Sequence, residues 1–173
     1  MIDFKKILKE GIHLETSGST GPAKVIFQNP DKIKAANAVA RKVQAIRTNS
    51  KILTVCSLKH AGGLLAQTLP GLEIGALVEI KQFNAFGWGE EIKEFSHTHL
   101  TPHHIELLRQ TKNWGRLDLS HLRITCGSDL VTPTMIQECL HQGAIFTVNW
   151  GMTEVGPCAI NKTFYPGVKM GKD

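Results

Sequence analysis

The chain has 173 residues, 42% of them hydrophobic and 20% charged, which suits one folded domain with a sizeable core and argues against disorder. A formal charge of +5 and a pI near 9.1 raise nucleic-acid binding, but the basic residues are scattered and their densest run (Lys32, Lys34, Arg41, Lys42, Arg47) reads as the solvated face of a helix. No apolar run approaches the ~20 residues of a membrane span, and the amphipathic start, Met1 to Glu10, lacks the hydrophobic region of a secretory signal, so no membrane partner and a cytoplasmic location are expected.

In chain order, Ile12 to Glu15 and Val25 to Gln28 read as short strands flanking a Gly/Ser/Thr loop. From Asp31 to Arg47, Ile33, Ala36, Val39, Ala40, Val43 and Ile46 recur at helical spacing. Ile52 to Cys56 is a predicted strand, followed by a glycine-containing helix through the sixties and a strand at Ala76 to Ile80. Phe95 to Leu100 leads into a helix from Pro102 to about Thr111. Leu122 to Cys126 and Ala144 to Val148 are strands around a helix from Pro133 to His141, and the residues from Asn161 onward read as loop. Asn29-Pro30, Thr101-Pro102 and Thr132-Pro133 each place a capping side chain before a proline, a helix-start signal. Strands alternating with helices imply an α/β fold, a mostly parallel sheet with helices on both faces.

The four cysteines, Cys56, Cys126, Cys139 and Cys158, form no Cys-x-x-Cys pair. Cys56 and Cys126 fall in apolar strand-like runs, where a thiol acts as a small hydrophobe. His97 and His99 alternate along one strand face and His103-His104 open the next helix. No carboxylate or cysteine joins them at ligand spacing, so ordinary polar histidines are preferred to a metal cluster.

Thr16-Ser-Gly-Ser-Thr-Gly-Pro-Ala-Lys24 concentrates the chemistry. Gly18 and Gly21 allow tight turns that present backbone N–H groups; Thr16, Ser17, Ser19 and Thr20 crowd hydroxyls together, and Lys24 adds a cation. Those are parts that surround phosphate oxygens. It is not a Walker A loop, since Ala23 precedes Lys24 and Val25 follows it. On composition alone a polar hairpin loop serves equally well. A second segment, Asn149-Trp-Gly-Met-Thr-Glu-Val-Gly156, follows a predicted strand, where parallel sheets bind ligands. Trp150 offers a face to a purine, Thr153 a hydroxyl and Glu154 a carboxylate for a metal ion. Taken singly, Trp150 reads as core and Glu154 as solvent-facing.

Together these segments resemble the adenylate-forming superfamily of acyl- and aryl-CoA ligases, luciferases and peptide-synthetase adenylation domains. Thr16 to Lys24 matches its Thr-Ser-Gly-Ser/Thr-Thr-Gly-x-Pro-Lys loop with Pro22 and Ala23 exchanged, and Trp150 to Glu154 matches its Tyr-Gly-Met-Thr-Glu with tryptophan for tyrosine. Ser57 to Leu64 is similar to the segment whose histidine borders the acyl pocket. Thr98 to Leu108 and Leu119 to Pro133 follow in family order, with Ser128-Asp129 where Gly-Ala is commoner. The resemblance spans roughly residues 12 to 160.

It implies an AMP-binding core of an AMP-forming acid–CoA ligase that uses ATP and Mg²⁺ to adenylate a carboxylic acid, with coenzyme A as a candidate thiol acceptor. On that model Thr16, Ser17, Gly18, Ser19, Thr20, Gly21 and Lys24 hold the β- and γ-phosphates, Thr153 the α-phosphate, and Glu154 the metal. Lys24, Thr153 and Glu154 would be the catalytic groups. Gly127, Ser128, Asp129, Asn149, Trp150 and Met152 would line the adenine side, while His60 and Gly151 would border the acid. The resemblance leads us to expect one core domain over residues 1–173, without the family's N-terminal subdomain or its small C-terminal domain with the catalytic lysine. Autonomous turnover is then doubtful, and a second copy or a partner domain is expected. A non-catalytic adenine-nucleotide-binding module is the alternative, and a basic interaction protein on a relic fold is more remote.

Overall fold

In the computed structural model, which describes residues 2–16 and 24–168, a first helix α1 (Phe4–Glu10) leads into the hairpin strands β1 (Ile12–Glu15) and β2 (Val25–Gln28). The hairpin is antiparallel and stands apart from the main sheet. Helix α2 (Pro30–Gln44) and strand β3 (Lys51–Thr54) follow. Next come a short helix α3 (Ala61–Gly63), a π-helical turn (Leu64–Thr68) and α4 (Leu69–Glu73), before β4 (Leu77–Ile80). The rest is α5 (Ala85–Glu91), β5 (His97–Leu100), α6 (Pro102–Arg109), β6 (Arg123–Cys126), α7 (Pro133–His141), β7 (Ile145–Met152) and β8 (Gly156–Phe164).

The six-stranded sheet runs in the order β4-β3-β5-β6-β7-β8, parallel throughout except for the antiparallel β7–β8 pair. The chain steps outward from β3 to β4, then returns past β3 to β5 and continues the other way. Right-handed crossovers in opposite directions put their helices on opposite faces. One face carries the large apolar core, where Leu53, Leu100, Ile124 and Phe146 meet Trp88, Ile105, Leu108 and Ile136. The other face packs against α2 and the π-helical turn and is largely polar: Thr54, His97, His99, Thr125, Thr147 and Asn149 are all buried.

That polar face is held by a hydrogen-bond network with a covalent origin. Pro70 has no N–H, so it cannot bond the carbonyl of Ala66 one turn back. Gln44 fills the gap, its Nε2 donating to Ala66 O at 2.7 Å, while its Oε1 accepts from Gln67 Nε2 at 2.7 Å and from Thr125 Oγ1 at 2.6 Å. The carbonyl of Gln44, free at the end of α2, meets His97 Nε2 at 3.0 Å. Thr68 donates to Gly63 O at 2.7 Å and lies 2.8 Å from Thr54 Oγ1.

Both hairpin strands and α7 occupy the expected residues, and all three proline-preceded caps form: Asn29, Thr101 and Thr132 accept from Lys32, His104 and Met135 N–H groups. Four expectations are corrected. The second helix ends at Gln44 rather than Arg47, because Ala45 turns left-handed at φ 55° and sends Ile46 into a separate cluster with Ile52 and Ala76. The last central strand runs on to Met152, so Asn149 to Met152 lie within β7 instead of after it. Asn161 to Phe164 are not loop but the end of β8, which pairs with β7 from Phe146 outward. Helix α5, glycine-rich and short, has no counterpart in the sequence reading.

Candidate active site

Outside the carboxyl ends of β3 and β5, where the sheet's winding reverses, lies a cavity of about 850 Å³. An open α/β sheet presents such a crevice at its switch point because the flanking connections leave in opposite directions. The floor comes from Cys56 and Ser57 after β3, His99 and Thr101 at the end of β5, Ser128 after β6, and Asn149 on β7. His60 to Gly63 at the start of α3 form one wall, and Gly151 to Glu154 another.

The hairpin delivers a third wall of Glu15, Thr16 and Lys24. Thr16 N–H donates to Lys24 O at 2.9 Å and Lys24 N–H to Thr16 Oγ1 at 3.0 Å, so the two ends of the Gly/Ser/Thr loop are locked together at the cavity rim. Buried Gln28, at the end of β2, donates its side-chain amide to the carbonyl of Thr153. This bond ties the hairpin to the turn after β7 and brings Lys24 and Glu154, 130 positions apart, to one cavity.

The sequence-predicted residues divide accordingly. Thr16, Lys24, His60, Ser128, Asn149, Gly151, Met152, Thr153 and Glu154 all line the cavity. Ser17, Gly18, Ser19, Thr20 and Gly21 lie outside the described residues. Gly127, Asp129 and Trp150 are not among the lining groups. Trp150 is 57% exposed on β7, and its side chain follows the strand alternation to the face opposite Asn149. Gly151 is required by packing as well as position: a Cβ there would collide with the backbone of Gly156 across the β7–β8 pair. Ser128 adopts a left-handed φ of 74°, a conformation glycine takes without strain.

Several lining residues escaped the sequence reading. Cys56 is not simply a core thiol; its Sγ reaches the His99 carbonyl at 3.2 Å, and burial pushes its pKa up to about 12, so it is no ready nucleophile. His104 spends its Nδ1 on the Thr101 N–H at 3.2 Å as half of a capping box, and burial, helped by His103, lowers its pKa to about 4. His99 is buried and neutral for the same reason, its pKa near 4 through burial and the neighbouring His104, with the adjacent Asn149 side chain pulling the other way. A signal for His99 was present: three of the four residues of β5 are polar, yet the strand is buried throughout. Among the described residues no three His, Cys, Asp or Glu side chains cluster as a metal site.

The cavity combines one ammonium, one carboxylate and several hydroxyls with a volume in the range of small-molecule sites, which suits a nucleotide with its metal ion. Comparison with known proteins points the same way. The family model described as AMP-binding enzyme matches residues 15–172. Over 150 residues the chain is 33% identical to an indoleacetate–CoA ligase of Aromatoleum aromaticum, covering 83% of this chain and 29% of that protein. In structure it resembles ATP-bound MatB from Rhodopseudomonas palustris (TM-score 0.77, 17% identity, 91% of this chain and 31% of that one). It also resembles an acyl-CoA synthetase (AMP-forming)/AMP-acid ligase II-like protein from Dyadobacter fermentans (TM-score 0.71, 20% identity, 95% and 50%). The structural likenesses establish the fold, and the chain spans less than a third of the curated relative that it matches. With the family model covering nearly its whole length, the chain belongs to the AMP-binding enzyme family.

Proposed function

We propose that the cavity binds ATP with Mg²⁺ beside a carboxylic acid, and that residues 1–173 form the nucleotide-binding core of an AMP-forming acid–CoA ligase acting in the cytoplasm. The observation that carries this reading is the convergence of Thr16 and Lys24 with Thr153 and Glu154 on one cavity. A carboxylate oxygen attacks the α-phosphorus, the bond to the bridging oxygen breaks, and pyrophosphate leaves with the electron pair. A thiol, that of coenzyme A, then takes the acyl group and AMP departs. The protein does little covalent work here; it positions and neutralises charge. Lys24 and the loop it closes hold the outer phosphates, Thr153 donates to the α-phosphate, and Glu154 orients the metal, which withdraws charge from the phosphates when bound. Glycines along Ala61 to Gly63 and at Gly151 keep the acid side open next to His60. Indoleacetate, the substrate named for the relative, heads the acids to try.

ATP–pyrophosphate exchange with a panel of carboxylic acids tests this; acid-dependent exchange is expected, and its absence together with absent AMP binding in calorimetry counts against it. One feature favours a second reading, a nucleotide-binding module without turnover. Lys24 is the sole lysine or arginine among the described lining residues, few cations for a transition state that gathers charge at phosphorus. That version predicts AMP binding with no exchange. Exposed Phe86, Leu130, Val155 and Ile160 give a second copy or a partner domain apolar surface to cover, which sedimentation would register.

A further inference from the structure

Hydrogen bonding is incomplete at the inner end of the cavity. His99 is 4% exposed, and among the described residues neither Nδ1 nor Nε2 has a hydrogen-bond partner; Asn149 Oδ1 beside it has none either. His97, two positions earlier on the same strand face, gives the contrast. Its Nδ1 lies 2.8 Å from Ser96 Oγ and its Nε2 3.0 Å from Gln44 O. The two histidines share a strand, a face and nearly complete burial, and differ in that His99 opens on the cavity. A buried polar atom without a partner costs about 1–3 kcal/mol, so three together in a cavity floor point to a ligand that supplies the partners.

Position separates this ligand group from the phosphates. Asn149 precedes Met152, the last residue of β7, by three positions, which at about 3.3 Å per residue sets it on the order of 10 Å from Thr153 and Glu154. Adenine is not the natural occupant. Trp150, the flat ring offered to a purine, points to the other face of β7, away from Asn149 and His99. Space is available: a Cβ placed on Gly62 would sit 2.9 Å from Ser128 Oγ and 3.3 Å from His99 Cε1, so the glycine leaves a narrow opening between them.

We propose that His99, backed by Asn149, recognises an uncharged hydrogen-bonding group on the acid, distant from the carboxylate that is activated. The substrates are then acids carrying a ring N–H, ketone, amide or hydroxyl rather than plain hydrocarbon acids. A neutral imidazole offers one donor and one acceptor and so fits either kind of group. A second carboxylate fits less well, because Lys24, the one cation among the described lining residues, stands at the phosphate end. The inference rests on the nucleotide-and-acid reading above.

Calorimetric titration with non-hydrolysable acyl sulfamoyl adenosines tests it without requiring turnover. Three carry a ring N–H, a ketone or a hydroxyl on the acyl part, and each is paired with its hydrocarbon isostere. The wild-type chain is expected to favour at least one polar member over its isostere by about tenfold, one good neutral hydrogen bond. His99→Leu should erase that preference while leaving AMP affinity unchanged; His99→Gln, which keeps a donor and an acceptor, should retain part of it and guards against a misfolded leucine variant. Equal affinities within every pair, as a floor satisfied by water alone would give, overturn the proposal, and so does a loss of AMP affinity in both folded variants. Binding of neither AMP nor any analogue sinks the nucleotide reading itself, a result distinct from these two.

Discussion

Lys24 is exposed, yet its backbone is pinned by the reciprocal bonds with Thr16, so its ammonium reaches the cavity from a fixed base. A charge-assisted hydrogen bond to phosphate is worth about 1.5–3 kcal/mol. Lys24→Ala should therefore weaken ATP binding at least tenfold and AMP binding far less, since the lysine serves the outer phosphates. Parallel titrations with the two nucleotides decide this, and an equal loss for both would move Lys24 to the α-phosphate. Its place in the Thr16–Lys24 segment was legible because the local pattern is specific. Nothing local pointed to Gln28, whose role comes from a carbonyl 125 positions away.

At the level of elements, the helix-to-sheet contact on the polar face depends on Gln44. Replacing it with leucine would strand the Ala66 carbonyl, the Thr125 hydroxyl and the Gln67 amide in a buried layer. We expect Gln44→Leu to destabilise the fold by about 2–4 kcal/mol in urea titration, against the near-neutral result that an amphipathic-helix pattern alone would forecast. Strand β5 brings a pH dependence. Burial depresses His97 and His99 to about 4, helped at His97 by Arg123 and opposed there by the Gln44 carbonyl. Both values lie below the 6.5 of an unperturbed histidine, so their contribution to stability is whole above pH 6.5 and is lost as the pH falls through about 4. Between those values each removes about 1.4 kcal/mol per pH unit. Urea midpoints at pH 7 and pH 4.5 should differ clearly in the wild type and by less in His97→Gln; a flat profile would contradict this.

Across the whole molecule, the cavity joins the hairpin, α3 and the ends of four sheet strands, so a ligand there should couple parts that otherwise touch through few bonds. AMP at a hundredfold excess over its Kd would add about 2.7 kcal/mol. For a chain of this size that raises Tm by several degrees, measurable by calorimetry. No rise with AMP at saturating concentration would mean that the cavity is not its site. Among the described residues no helix is long and apolar enough to cross a membrane.

Local chemistry in the sequence determined the parallel α/β order, the three capped helix starts and the two segments that face the cavity, because each depends on neighbours within a few positions. The left-handed turn at Ala45 that shortens α2, the extension of β7 through Met152 and the β8 strand that covers it were decided by pairing between distant residues. The same holds for the unpartnered imidazole of His99. A histidine in a buried strand looks alike whether its nitrogens are filled, as at His97, or left open, and only the packed fold shows which of the two meets a cavity.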